Sequence, residues 1–280
     1  MATTYSAFFA GQARTLTTPD GGQLHTVSAG SGTPIVFAHG YAVDLDEWNL
    51  VGAALAERGH RVIAFYQRGH GRSTIGRDGM GSAAMSRDYA TVLEEYDVTA
   101  GVLVAHSMGG FLGIRFLVEN PELVRRRLKG LMLVATFAGD VNRRNPQNRV
   151  QIPMIRSGVM ARIAASERLG PPFAKSLLGD DKDPDMAQAF LEVFRKQRLP
   201  ATIPVLEAMV KESRYDRLGE ISLPCTIAVG TKDRTTPPFH TDELHRGIAG
   251  SRLVRIPGKG HMINWEAADL LVEEIVALAG

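Results

Sequence analysis

Residues 101–110, Gly101-Val102-Leu103-Val104-Ala105-His106-Ser107-Met108-Gly109-Gly110, constrain the fold more than any other part of the chain. A short apolar run leads straight into a serine with small neighbours, and a helix-like apolar segment follows. A serine so placed occupies a strained strand-to-helix corner, its hydroxyl held out at the end of a sheet. Ala105, Gly109 and Gly110 supply the small residues that a crowded corner needs. The alternative is a plain helix cap, in which the serine side chain accepts from a backbone amide of the next helix.

The rest of the first half repeats the alternation that this corner requires. Strands are expected over residues 24–29, 34–38, 61–65, 101–105 and 131–137. Helices are expected over 48–58, ending before Gly59, over 87–96, and over 111–119, stopped at Pro121. Strands separated by helices predict an α/β fold, a mostly parallel central sheet covered on both faces. The alternation fails from 138 to 216, where breakers such as Pro146, Pro153, Pro171, Pro172, Pro184 and Pro200 punctuate helical segments. It resumes with strands at 225–230 and 251–256 and helices at 242–246 and 265–278. The economical division is a core of 1–137 and 217–280 with a helical cap, 138–216, inserted as a lid.

Size and charge narrow the classes of function. A chain of 280 residues, 44% of them hydrophobic, can bury one large core. A net charge of +2 predicts no nucleic-acid partner. The basic run Arg125-Arg126-Arg127 reads as a solvated helix end. Cys225 is the only cysteine, which excludes an internal disulfide, and its apolar run predicts burial. Residues 1–11 lack the pattern of a signal peptide, and no apolar run is long enough to span a membrane. The expectation is a cytoplasmic protein, monomer or homodimer, acting on a small molecule.

Two further segments carry chemistry. Residues 230–237, Gly230-Thr231-Lys232-Asp233-Arg234-Thr235-Thr236-Pro237, follow one expected strand. Gly258-Lys259-Gly260-His261 follows the last. Ligands of an open parallel sheet bind outside the carboxyl ends of its strands, so Ser107, Asp233 and His261 can converge on one edge. Serine, acid and histidine in that order match one known triad type. His39-Gly40-Tyr41 follows the strand 34–38, where a glycine lets a backbone amide turn toward the site.

These pieces, with Arg68-Gly69-His70-Gly71-Arg72-Ser73, make the chain similar to the α/β-hydrolases that include small esterases, monoacylglycerol lipases, cofactor-free perhydrolases and C–C bond hydrolases. The resemblance covers 34–139 and 223–280. It implies Ser107 as nucleophile, His261 as general base and acid, and Asp233 as the group holding the histidine tautomer. It also implies an oxyanion hole of the Tyr41 and Met108 amides, with no metal or organic cofactor. Two positions depart from the family pattern. Ala105 stands where the serine corner usually begins with glycine. Tyr66 stands where an aspartate usually braces the Arg-Gly-His-Gly-Arg-Ser turn, and altered loop packing is expected there.

Other residues compete for these roles. Asp140, after strand 131–137, is where some relatives keep the acid. His106 should point away from its neighbour Ser107 and serve in packing; His39 should order the oxyanion loop, and His70 reads as structural or solvated. His25, His60, His240 and His245 lack metal-ligand spacing. Tyr41, Met154, Met160 and Met262 are candidates to line the substrate pocket, since methionine suits a pliable acyl site. Six arginines lie between Val141 and Arg168 against one acid, Glu167; a solvated helix face explains them better than an anionic ligand. The expected activity is cleavage of carboxylic esters with small to medium, largely apolar acyl groups, in the manner of an esterase or lipase. The same residues would serve perhydrolysis, lactone or amide opening, or C–C cleavage. A slow, receptor-like ligand binder is the alternative from another class.

Overall fold

A computed structural model describes Tyr5 and residues 11–280. The absence of a leader was expected from residues 1–11, nearly all of which lie outside the described residues. Eight strands form one sheet in the order β1-β2-β4-β3-β5-β6-β7-β8. They are β1 Gln12–Thr17, β2 Gln23–Ala29, β3 Pro34–Ala38, β4 Arg61–Phe65, β5 Gly101–His106, β6 Leu128–Val134, β7 Cys225–Gly230 and β8 Arg252–Ile256. β2 pairs antiparallel with β1 and β4, and the pairings from β4 through β8 are all parallel.

The helices that cover the sheet are α1 Asn49–Glu57, α2 Ser82–Glu95, α3 Met108–Glu119, α4 Pro121–Arg127, α10 Phe239–Gly247, α11 Ile263–Glu266 and α12 Ala268–Ala279. Between β6 and β7 lie α5 Gln151–Arg156, α6 Val159–Ala165, α7 Gly170–Lys175, α8 Pro184–Phe194 and α9 Ile203–Lys211. Successive strand residues point to opposite faces, and here both faces are apolar. Val36, Ile63, Leu103, Leu131 and Ile227 pack with Tyr89 of α2 and Phe111 of α3. Ile35, Val62, Val104, Met132 and Ala228 pack with Val51 of α1 and Ile275 of α12.

Several boundaries differ from the sequence expectation. β6 occupies Leu128–Val134 instead of 131–137, because Ala135 turns into the left-handed region at φ 44° and ends the ladder. The helix expected over 265–278 is two helices, broken at Ala267, whose φ of −148° and ψ of 40° are not helical. β1 carries no apolar run to betray it. It is an edge strand that buries only Leu16, so its sequence needs no alternation. Cys225 is buried, which pushes its thiol up to about 12. Arg125, Arg126 and Arg127 form the last turn of α4, where the dipole favours cations. No helix of the described residues is long and apolar enough to cross a membrane.

Residues 138–216 leave and rejoin the sheet at neighbouring points. Gly139 and Ser213 form an isolated antiparallel bridge, the Asp140 N–H donates to the Glu212 carbonyl at 3.1 Å, and the Arg214 N–H donates to the Ala138 carbonyl at 2.8 Å. A second seam joins this segment to the loop after β8. There the Asp180 N–H donates to the Gly258 carbonyl and the His261 N–H donates to the Leu177 carbonyl, each at 2.7 Å.

Candidate active site

Ser107 sits between β5 and α3 with φ 50° and ψ −117°, a backbone state that non-glycine residues rarely adopt. Its surroundings hold it there. The Ser107 N–H donates to the Val134 carbonyl at 3.0 Å, and its own carbonyl accepts from the Thr136 hydroxyl at 2.6 Å. A side chain at Gly109 would lie 2.5 Å from the Ala38 carbonyl oxygen, so only glycine lets α3 start this close to β3. The Ala105 methyl faces Gly113 of α3, where even an added Cβ would sit at an ordinary contact distance of 3.7 Å.

The loops after β7 and β8 bring two side chains to this corner. The Ser107 Oγ lies 3.1 Å from His261 Nε2, and His261 Nδ1 lies 2.8 Å from Asp233 Oδ2. All three residues are buried. Asp233 Oδ1 accepts from the amides of Thr235 (2.8 Å) and Thr236 (2.9 Å), which fixes the carboxylate. The Thr236 hydroxyl stands 2.8 Å from Asp233 Oδ2 and 3.2 Å from His261 Nδ1. Asp140 lies elsewhere, at the foot of the helical segment, where its amide bonds Glu212.

The strand end at His39-Gly40-Tyr41 lies beside the serine. His39 Nε2 accepts from the Gln67 N–H at 2.9 Å, and its carbonyl accepts from the Gln67 side chain at 2.5 Å. Burial, with His70 nearby, holds His39 well below the usual histidine range, so it is neutral. His70 is buried, its Nδ1 3.2 Å from the Arg68 carbonyl, and burial pushes it down to about 4. Met108 opens α3, so its N–H has no carbonyl a turn earlier to bond.

Tyr66 replaces a brace that the structure supplies differently. Its ring packs against Gly71 with no room for a side chain there, and its carbonyl accepts from Ser73 Oγ at 2.6 Å. The turn is braced instead by buried Arg68, which donates to Asp88 (2.7 and 2.6 Å) and to Asp20 (2.8 and 3.2 Å). Asp20 is held far below the carboxylate range by those bonds from Arg68, even against its own burial.

A cavity of about 290 Å³ opens over Ser107 and His261. Tyr41, Met154, Met160 and Met262 line it, joined by Ile163, Phe173, Phe190 and Phe194. Asn148, Gln151 and Arg234 line it as well, and Tyr41 Oη is fixed at 2.7 Å from the Thr202 hydroxyl. Among the described residues no set of three or more His, Cys, Asp or Glu side chains is disposed to hold a metal ion.

His106 is more than a packing residue. Its Nδ1 lies 3.0 Å from Glu47 Oε2, and its Nε2 lies 3.1 Å from the His261 carbonyl. Glu47, Asp20 and Asp88 have no distinctive sequence pattern, and Thr236 lies in the segment 230–237 with no role marked by the sequence.

The model of the alpha/beta hydrolase fold matches residues 33–268. A protein of Synechocystis sp., provisionally named a non-heme chloroperoxidase, is 28% identical over 248 residues, covering 86% of this chain and 88% of that one. Among solved structures, an esterase from Exiguobacterium antarcticum superposes with a TM-score of 0.85 at 22% identity, over 96% of this chain and 99% of its own. A bromoperoxidase from Bacillus anthracis gives 0.81 at 19% identity, over 95% and 99%. At such identities these structures share the fold with this chain.

Proposed function

This chain belongs to the alpha/beta hydrolase family, and from that premise we propose that it is a serine hydrolase of carboxylic esters with small to medium, largely apolar acyl groups. The observation that carries the reading is the relay from Ser107 Oγ through the His261 ring to Asp233, at 3.1 and 2.8 Å. Ser107 Oγ attacks the ester carbonyl carbon while its proton passes to His261 Nε2. Asp233 accepts from Nδ1 and stabilises the imidazolium that forms. The Tyr41 and Met108 amides take the developing oxyanion, each such donor contributing roughly 10²–10³ in rate. The C–O bond then breaks, the alkoxide leaves with the proton from His261, and the acyl group stays on Ser107. A water gives its proton to His261, attacks the acyl carbon and frees both the acid and the serine.

Residues 138–216 act in this reading as a cap over the strand ends. Their phenylalanines and methionines give the acyl chain an apolar wall, while Asn148, Gln151 and Arg234 offer polar contacts in the same cavity. The name of the Synechocystis relative, a non-heme chloroperoxidase, motivates one variant of the chemistry, in which hydrogen peroxide replaces water and the acyl group leaves as a peracid.

The test is an aryl ester series of rising acyl length, run with native protein and with Ser107→Ala. Turnover by the native protein, lost in the variant together with labelling by a fluorophosphonate, is the expected result. Equal turnover by both proteins would sink the reading. Adding hydrogen peroxide and assaying peracid separates the two acceptors.

A further inference from the structure

Behind His261 lies a second carboxylate–imidazole pair that the reaction above does not use. Glu47 and His106 are both buried, at 1% exposure each. Glu47 belongs to the 3₁₀ turn Leu45–Trp48, and its Oε1 accepts from the Gly40 N–H at 3.0 Å. Its Oε2 lies 3.0 Å from His106 Nδ1, and its carbonyl accepts from Asn264 Nδ2 at 2.7 Å. The His106 ring reaches across to the His261 carbonyl with Nε2 at 3.1 Å, the two ring centres being 4.8 Å apart.

The partners fix the protons. Nδ1 faces a carboxylate and Nε2 faces a carbonyl. Both partners accept, so both ring nitrogens must donate. A neutral imidazole has one N–H and would set a lone pair against an oxygen in a buried site. Glu47 Oε1 already accepts from the Gly40 N–H, and a cationic His106 gives the buried carboxylate its counter-charge. The charged and titratable groups about the ring are Glu47, Asp233, His261 and His39, and His39 is neutral. Burial works against a charged His106, but the Glu47 charge and bond outweigh it and raise its pKa.

We infer that Glu47 and His106 form a buried carboxylate–imidazolium pair that positions the reacting groups from behind: Glu47 holds the loop that carries the Tyr41 amide, and His106 holds the main chain of His261. Neither side chain is assigned a role in proton transfer; both are positioning residues. The inference rests on the Ser107 hydrolase reading for its kinetic consequence, but the protonation state of the ring does not.

The Gln and Ala variants separate charge from position. In Glu47→Gln the amide oxygen still accepts from Gly40, and its NH₂ donates to a now neutral His106, which keeps Nε2–H for the His261 carbonyl. In Glu47→Ala both links are lost. The expected kcat for an aryl ester falls about 10- to 100-fold in the Ala variant with KM little changed, as a small misplacement of reacting groups predicts, and largely returns in the Gln variant. Spectra of protein labelled with ¹⁵N-histidine, with the His106 signal assigned through His106→Gln, should show both ring nitrogens protonated at pH 7 in the native protein and one in Glu47→Gln. A bare ring nitrogen in the native protein overturns the pair. Native kcat in a folded Glu47→Ala protein overturns the positioning. If no ester is turned over even by the native protein, the hydrolase reading fails and the spectra still decide the pair.

Discussion

At the scale of single residues, the site depends on hydrogen bonds that leave little freedom. Asp233 receives two backbone amides and sits against the Thr236 hydroxyl, so the carboxylate is fixed before any substrate arrives. Replacing Thr236 by valine keeps the shape and removes the hydroxyl. We expect kcat to fall about 5-fold with KM unchanged, the size of one net hydrogen bond of about 1 kcal/mol; steady-state kinetics on one aryl ester measure it. Arg68 presents a different case. It is 2% exposed and bonds two aspartates, so Arg68→Met strands two buried carboxylates. The expected loss is about 3–5 kcal/mol of unfolding free energy, read by urea titration, and an unchanged midpoint would contradict the account.

At the scale of elements, the helical segment 138–216 and the loop after β8 share their main chains. Glu266 adds to the seam: its Oε1 accepts from the Gly179 N–H at 2.8 Å and its Oε2 from the Gly260 N–H at 2.7 Å. The segment thereby helps to place His261, whose own N–H bonds Leu177. Glu266→Ala should loosen this seam, exposing amides 177–180 and 258–261 to faster hydrogen exchange while the β5 amides stay protected. Equal protection in both proteins would show that Glu266 is dispensable to the seam. Helix α8 is capped by Asp183, whose carboxylate accepts from the amides of Asp185 (2.7 Å) and Met186 (3.3 Å). Asp183→Ala should cost about 1 kcal/mol of stability in the same titration.

At the scale of the molecule, the cavity exists because a sheet edge and a helical segment meet without filling the space between them. Helices α5, α6, α7 and α8 each contribute apolar side chains to the wall of this space of about 290 Å³. Filling it should select against long acyl chains. Met160→Trp is expected to lower kcat/KM for hexanoyl and octanoyl esters by at least 10-fold relative to acetyl, about the discrimination that pocket contacts of this kind provide. A uniform loss at every chain length would place Met160 outside the acyl path.

Local order determined much of this protein by itself. Apolar runs bounded by glycine and proline mark β3, β4, β5 and β7, because strands buried on both faces must be apolar throughout. The small residues around Ser107 announce a tight corner, because a side chain at Gly109 would collide with the end of β3 and one at Gly110 with Thr136. Strand β1 and the end of β6 were not legible, since a solvated edge and a single left-handed residue leave no periodic trace. The roles of Glu47 and His106 were not legible either. Their residues lie 59 positions apart, and only the packing of the 3₁₀ turn against the end of β5 makes them partners. The same holds for which acid reaches His261: Asp140 and Asp233 both follow strands, and the choice was made by the path of the chain after β7, a long-range property that no short stretch of sequence contains.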